Sequence, residues 1–210
     1  MKKILLAVIA ISFAVLAGHP AAAQEKDPLD VVAPAAAPSA DSPNWMQYKN
    51  PYATTTGDVS AANRTSDEIL AWSQKAIAEA LSFEAGKFND SIKGNKRFFL
   101  KDGWAEYATY LKDSALLGVA QADQYYISTI VDGTPMIVNS GSMGGVFRWV
   151  VHVPIITTVN QTDKDGEQKP VSSSKIAIDV MVSRVSQGGV DGMAIERWRS
   201  NTADDKSVTK

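Results

Sequence analysis

Histidine and cysteine, two side chains that carry much of enzyme chemistry, are scarce in this sequence. Its 210 residues include no cysteine and two histidines, His19 and His152. The lack of cysteine excludes thiol nucleophiles, disulfides, iron–sulfur clusters and cysteine-ligated zinc. Two histidines are too few for a histidine-rich metal site, and nothing resembles a serine nucleophile with its base. We therefore expect no catalytic residue, no cofactor and no metal ion.

His152 and Asp179 form the most suggestive pair of reactive side chains. Each is a polar position in a run where apolar residues alternate, so both are predicted on the face opposite the apolar side chains. The pair is open to two interpretations. It is either a general-base pair or a cross-strand polar pair on a solvent face, worth a few tenths to about 1 kcal/mol. We favour the second, and we group both residues with Arg148 and Arg184 as the candidate interaction surface.

Charge and composition exclude another class of function. The chain has 21 Lys+Arg against 23 Asp+Glu, 45% hydrophobic residues and a formal net charge of −2. There is no basic surplus to neutralise phosphates, so direct nucleic-acid binding is not expected. The profile is that of an ordinary protein with room for one domain.

The first 23 residues have the three-part pattern of a secretory signal peptide. Lys2 and Lys3 precede an apolar run from Ile4 to Ala17, and small residues, Ala21 to Ala23, follow. The run is short for a membrane-spanning helix, which needs about 20 apolar residues. We predict export to the periplasm with cleavage before Gln24. The open alternative is an uncleaved inner-membrane anchor, which places the same domain on the same side.

Residues 24–64 are predicted to be a disordered linker rich in proline and alanine. The segment holds five of the nine prolines, and its apolar residues follow no period. Such a segment cannot bury enough surface to offset the entropy of ordering it. Trp45, Tyr48 and Tyr52 interrupt the pattern, and they either attach a short extended piece to the folded domain or to a partner, or occur by chance.

The folded part begins with helical periodicity and ends with strand periodicity. Thr65 and Glu68 have the spacing of a capping box, which starts a helix that we expect to end near Phe83. A short helix is expected over residues 85–94, and a third is expected with Asp102 as its N-cap. The expected strands are residues 125–131, 136–139, 146–159, 176–182 and 193–199, the first two forming a hairpin. Helices followed by an antiparallel meander indicate an α+β domain with the helices on one sheet face.

Several of these stretches together resemble the DotI/IcmL family of type IVB secretion and related conjugation systems. They are the RFFLKDGWAEYATYL block, the Gly133-Thr134-Pro135 turn, the GGVFRWVVHVPI strand and the AIDVMVSRV strand. The likeness covers about residues 69–198. It implies a nuclear-transport-factor-two-like fold, in which a curved antiparallel sheet cups helices. The domain is accordingly predicted over residues 65–200, with a flexible tail over 201–210.

The resemblance also implies a function. In the family this domain is a non-catalytic periplasmic part of the inner-membrane complex, so the expected partners are other secretion-system proteins, with a homo-oligomer left open. Because this chain begins with a signal-like segment, a soluble accessory of the machine is also open. The competing class is a small-ligand binder or an isomerase or dehydratase that uses the mouth of the cone, with Trp104, Tyr107 and Tyr110 either as an aromatic ligand box or, as favoured for the first two, in the core.

Overall fold

The computed structural model describes residues 58–163 and 167–202. Outside the described residues lie the predicted signal peptide, most of the predicted linker, residues 164–166 and the tail after residue 202. The helices are α1 Ser66–Ala80, α2 Phe88–Asn95, a 3₁₀ turn Lys96–Phe98, α3 Lys101–Asp113 and α4 Leu116–Ala120. The strands are β1 Tyr125–Val131, β2 Met136–Met143, β3 Val146–Thr162, β4 Gln168–Arg184 and β5 Met193–Thr202.

Helix α1 begins where the capping box predicts. Glu68 N–H donates to Thr65 Oγ1 at 3.3 Å, and Thr65 N–H donates to Glu68 Oε2 at 2.8 Å. The helix ends at Ala80, three residues before the predicted end, so that part of the prediction is wrong. The reason is that Phe83 leaves the helix and exchanges two backbone hydrogen bonds with Ile127 of β1, at 2.9 and 2.8 Å.

The start of α3 is set by β5 and not by a side-chain cap. The prediction that Asp102 is the N-cap is wrong, because Leu100 occupies that position and makes no side-chain cap. Its N–H donates instead to Ile195 O at 2.9 Å. Gly103 lies so close to this strand that a Cβ would stand 2.3 Å from Ile195 O. Only glycine allows this approach of the helix to the sheet.

The sheet is antiparallel and is built around β3. Its order is β1-β3-β4-β5, and β2 also pairs with β3. β1 lies opposite residues 155–161 of β3 and β2 opposite residues 146–152, so the two short strands share one side of the 17-residue β3. The predicted hairpin between β1 and β2 is therefore wrong. β3 and β4 also extend beyond their predicted bounds of residues 159 and 176, to Thr162 and from Gln168, into the polar segment between them.

One face of the sheet carries the helices and the core. Trp149, Val151 and Val153 of β3 point to this helix-covered face and are 3%, 0% and 0% exposed. Trp104 and Tyr107 of α3 are fully buried against it, which confirms them as core residues. Tyr107 O–H donates to Ala80 O at 2.6 Å, and burial raises the pKa of this phenol.

The folded part extends beyond both predicted boundaries. Val59 is buried, and its carbonyl accepts a 2.7 Å hydrogen bond from Phe147 N–H. At the other end β5 runs to Thr202. Residues 58–64 and 201–202 thus belong to the same folded unit as the residues between them.

Candidate interaction surface

The face of the sheet opposite the helices, here called the outer face, carries most of the predicted interaction residues. It consists of the alternate positions of β3, including Arg148 and His152, and of their neighbours on β4 and β5. His152 lies directly opposite Asp179, and Arg148 lies directly opposite Ser183. The four predicted residues do not form one cluster, because each of Arg148 and Arg184 has its own separate set of contacts.

His152 and Asp179 form the pair that the strand alternation predicts. His152 Nδ1 is 2.7 Å from Asp179 Oδ1, and because an ionised carboxylate only accepts, Nδ1 is the donor. Asn201 Nδ2 donates to the other carboxylate oxygen, Oδ2. The His152 and Asp179 side chains are 33% and 29% exposed. The pair therefore presents an oriented imidazole to solvent on the outer face.

Arg148 is bound into a second polar group on the same face. Its Nε and Nη2 donate to Glu196 Oε2 and Oε1 at 2.6 and 3.0 Å, a bidentate pair. Ser183 Oγ donates to Glu196 Oε2. Arg148 is only 16% exposed, and its Nη1 also contacts the carbonyl of Met143. This arginine thus links three strands of the sheet.

The carboxyl of Glu196 responds to opposing influences. Partial burial alone would raise its pKa, since desolvation disfavours the charged form. The hydrogen bonds from Arg148 and Ser183, together with the charges of Arg148 and Arg197, outweigh burial and hold the pKa of Glu196 below its ordinary value. Glu196 is therefore an ionised partner of Arg148 at neutral pH.

Arg184 stands apart at the end of β4. Its Nη1 donates to Ala61 O at 2.9 Å, next to the point where Val59 joins β3. Arg184 thus contacts the segment that leads into α1. It lies outside both polar groups described above.

Two members of the outer face were missed in the sequence. Glu196 occupies a β-bulge, since Ile195 pairs with Val182 while Arg197 pairs with Met181. Simple alternation would place Glu196 on the same face as Trp198, and the extra residue redirects it. Asn201 was missed because it lies in the segment predicted as the tail. The only sequence feature that could have indicated Asn201 is that it is a polar residue two positions after the predicted end of the strand.

Exposed apolar side chains accompany this surface. Met136 lies opposite His152 and is 53% exposed, and Ile130 of β1 is 61% exposed. Val138 and Met143 of β2 are 52% and 41% exposed. Of these four side chains, Met136 is the one that lies directly beside the predicted pair, opposite His152.

The described part of the chain has neither a cluster of metal-ligating side chains nor a helix that could span a membrane. No group of three histidine, aspartate or glutamate side chains there could hold a metal ion. Within the same residues, no helix combines the length and the hydrophobicity needed to cross a membrane.

Comparison with protein families connects this domain to secretion machinery. The family model described as "Type-IV b secretion system, inner-membrane complex component" matches residues 51–202. The chain belongs to the DotI/IcmL family. The family predicted from the sequence motifs is thus confirmed, and with it membership in a group of type IV secretion components. None of the curated protein sequences compared with the chain is a significant match.

Solved structures confirm the fold. The periplasmic domain of DotI superposes with a TM-score of 0.57 and 22% identity, covering 68% of this chain and 100% of that one. A periplasmic fragment of TraM gives 0.55 and 20%, covering 65% and 97%. An IcmL-like type IV secretion system protein from Legionella pneumophila gives 0.54 and 18%, covering 67% and 94%. The nuclear-transport-factor-two-like α+β fold expected from the resemblance is correct.

The position of His152 and Asp179 bears on the competing enzyme hypothesis. An isomerase or dehydratase of this fold would use residues between the sheet and the helices. The described structure places this pair on the outer face, and it fills the opposite face with Trp149, Val151 and Val153. The pair is therefore not in the interior of the cone.

Proposed function

We propose that the chain is a non-catalytic periplasmic component or accessory of a type IVB secretion or conjugation apparatus, and that it acts through protein–protein contacts. The observation that carries the proposal is the family match over residues 51–202. Its partners are other proteins of the inner-membrane and periplasmic complex. The periplasmic location is supported by the signal-like first 23 residues, whether that segment is cleaved or serves as an anchor.

The geometry of the sheet supports a contact function. No described helix covers the outer face, where His152 and Asp179 are partly exposed beside the exposed Met136. A partly exposed pair can exchange solvent for a partner's polar groups without unfolding any element. Arg148 and Arg184 lie at the border of this surface, and both are bound to other parts of the domain. We assign recognition first to His152 and Asp179.

In-cell crosslinking tests the proposal most directly. The C-terminally tagged chain would be crosslinked in its own host, purified from the envelope and analysed by mass spectrometry for partners and for the mature N-terminus. We expect type IV secretion or conjugation proteins among the partners and Gln24 as the first residue. Recovery of the tagged chain without any such protein would contradict the proposed function.

A pair of variants assigns the contact to residues. We expect His152→Ala with Asp179→Ala to reduce partner capture several-fold while the melting temperature changes little. The matched control is Thr158→Ala with Ser173→Ala, which removes another cross-strand polar pair of the same two strands, with its oxygens 3.4 Å apart. Equal loss of capture in both double variants would remove His152 and Asp179 as contact residues.

A further inference from the structure

We propose that the free edge of β2 pairs with β2 of a second copy of this chain, antiparallel about a two-fold axis, so that two sheets join into one. This inference goes beyond the proposed function and does not depend on it. It rests on the contrast between the edges of the sheet, on the composition of β2 and on the symmetry of such a pair.

The edge of β5 is covered by the chain itself. Leu100 N–H donates to Ile195 O at 2.9 Å. Farther along, Trp198 N–H donates to the carboxylate Oε2 of Glu106 at 2.6 Å. Helix α3 and the residue before it thus occupy the backbone groups that would otherwise attract another strand.

The edge of β1 is covered in a similar way. Phe83 exchanges two backbone hydrogen bonds with Ile127, and Ser82 Oγ accepts from Thr129 N–H at 3.1 Å. Within residues 58–163 and 167–202, β2 has no backbone partner other than β3. Among the described residues, the edge of β2 is thus open, whereas the edges of β1 and β5 carry backbone partners.

The open edge presents backbone groups to solvent. Phe147 N–H donates to the carbonyl of Val59, so the backbone N–H and C=O groups of Phe147 point away from β2. In an antiparallel pair, the backbone N–H and C=O groups of two directly opposite residues either point toward each other or both point away from the pair. Ser142, opposite Phe147, and Ser140, opposite Trp149, therefore direct their own N–H and C=O groups to the free edge. Such a row of groups is a template for strand addition.

The composition of β2 lacks the usual protection of an edge. Its eight residues, MIVNSGSM, include no charge and no proline, and edge strands usually carry one or the other. Val138 is the extra residue of a bulge, which leaves residues 139–143 in regular pairing with β3. Within the described residues nothing lies within 4 Å of the Cβ that Gly141 lacks. Glycine inside a strand often marks the close approach of another backbone.

These features fit a second copy better than a foreign strand. A two-fold axis places β2 beside an identical strand, where charged side chains near the axis would face like charges and repel, and β2 has no charged residue. A foreign segment is usually selected by charges that fix its register and exclude competitors. Symmetry limits the possible registers without them, because one residue of β2 must lie on the axis opposite itself.

The expected dimer is weak. A stable complex buries roughly 1,600 Å² in total, and a pair of eight-residue strands with three exposed apolar side chains offers less than this. The dimer should therefore appear as concentration increases. Its detection needs either a high protein concentration or a method that traps the pair.

The absence of cysteine makes disulfide trapping unambiguous. We would place a single cysteine at each position of β2 in turn in the exported protein and oxidise it. The residue on the axis has its Cα roughly 5 Å from its copy, while its neighbours are roughly 8 Å from theirs, beyond the reach of a disulfide. We expect disulfide dimers at one position, at least tenfold above its two neighbours. Ser173→Cys, an exposed serine of β4, is the control.

A proline variant tests the same edge without a crosslink. Ser140→Pro removes an outward N–H and spares the ladder to β3, whereas Ser140→Ala keeps the N–H. By analytical ultracentrifugation we expect Ser140→Pro to weaken the dimer at least tenfold and Ser140→Ala to change it less than threefold. A monomer at all concentrations, equal trapping at β2 and Ser173, or a dimer unaffected by Ser140→Pro would each overturn the proposal. None of these results depends on whether secretion proteins are captured in the host.

Discussion

The two faces of β3 differ in burial, so that consecutive residues of this strand have different surroundings. Trp149, Val151 and Val153 are almost fully buried under the helices, whereas Val150 and His152 between them are partly exposed on the outer face. Alternation of side chains along a strand creates this difference. The packed face supplies stability and the outer face is available for contacts, so substitutions one residue apart should separate the two.

Polar groups on the two faces are satisfied differently. On the helix-covered side, Thr129 Oγ1 donates to Leu81 O at 2.9 Å and Tyr107 O–H donates to Ala80 O, both to fixed backbone. Nearby Tyr110 is partly buried, and burial raises its pKa to about 12. On the outer face, side chains bond to one another in partly exposed groups such as His152 with Asp179. The outer groups can therefore accept a partner at lower cost.

The largest expected effect is on the packed face. Trp149→Ala should lower the free energy of unfolding by roughly 3–5 kcal/mol, since it leaves a cavity beside Phe147, whose ring centroid lies 4.9 Å away. Val150→Ala, one residue along and on the outer face, should cost less than half as much. Urea denaturation of both variants measures the difference. Equal losses would mean that the two faces of β3 are assigned incorrectly.

The alternation of β3 could be predicted from sequence because one face is buried along most of the strand. The period of two correctly separates His152 and Asp179 from the buried apolar face of both strands, because neither strand has a bulge at this point. The capping box of α1 is equally predictable from the sequence, since its two residues, Thr65 and Glu68, lie within one turn of each other. Local patterns of this kind are complete in the sequence itself.

The errors concern contacts between distant parts of the chain. Helix α1 ends early because Phe83 pairs with Ile127, and α3 lacks a side-chain cap because Leu100 bonds to Ile195. β1 and β2 pair with one long strand, which short spacing between them does not reveal. Glu196 was missed because a bulge of one residue changes its face. In each case the deciding contact is made by another element of the fold, and its register is not visible in local periodicity.

A medium effect is expected from the ion pair on the outer face. The pKa of Glu196 is lower in the folded protein than the ordinary value of about 4.3. Its contribution to stability is therefore present above that value and is lost as the pH falls through the folded pKa. Glu196→Gln should cost about 1–3 kcal/mol at pH 7, and the cost should shrink as the pH falls below about 4. Urea midpoints from pH 7 to pH 3 measure this.

Arg148→Met provides the reciprocal variant. It leaves the Glu196 carboxylate partly buried with a single neutral donor, Ser183, so it should be at least as destabilising at pH 7 as Glu196→Gln. The double variant should cost less than the sum of the two single ones, because both remove the same pair. Additive losses, or a wild-type pH profile in Glu196→Gln, would show that the pair does not hold the three strands together.

The smallest effect on stability is expected at His152. His152→Ala leaves Asp179 bonded to Asn201 and partly open to water, so the free energy of unfolding should fall by only a few tenths to about 1 kcal/mol. The same variant should show a clear loss of partner capture. Thermal unfolding and capture are measured on the same preparation. A loss of stability above about 2 kcal/mol, or unchanged capture, would mean that the pair acts within the sheet and that the recognition site lies elsewhere.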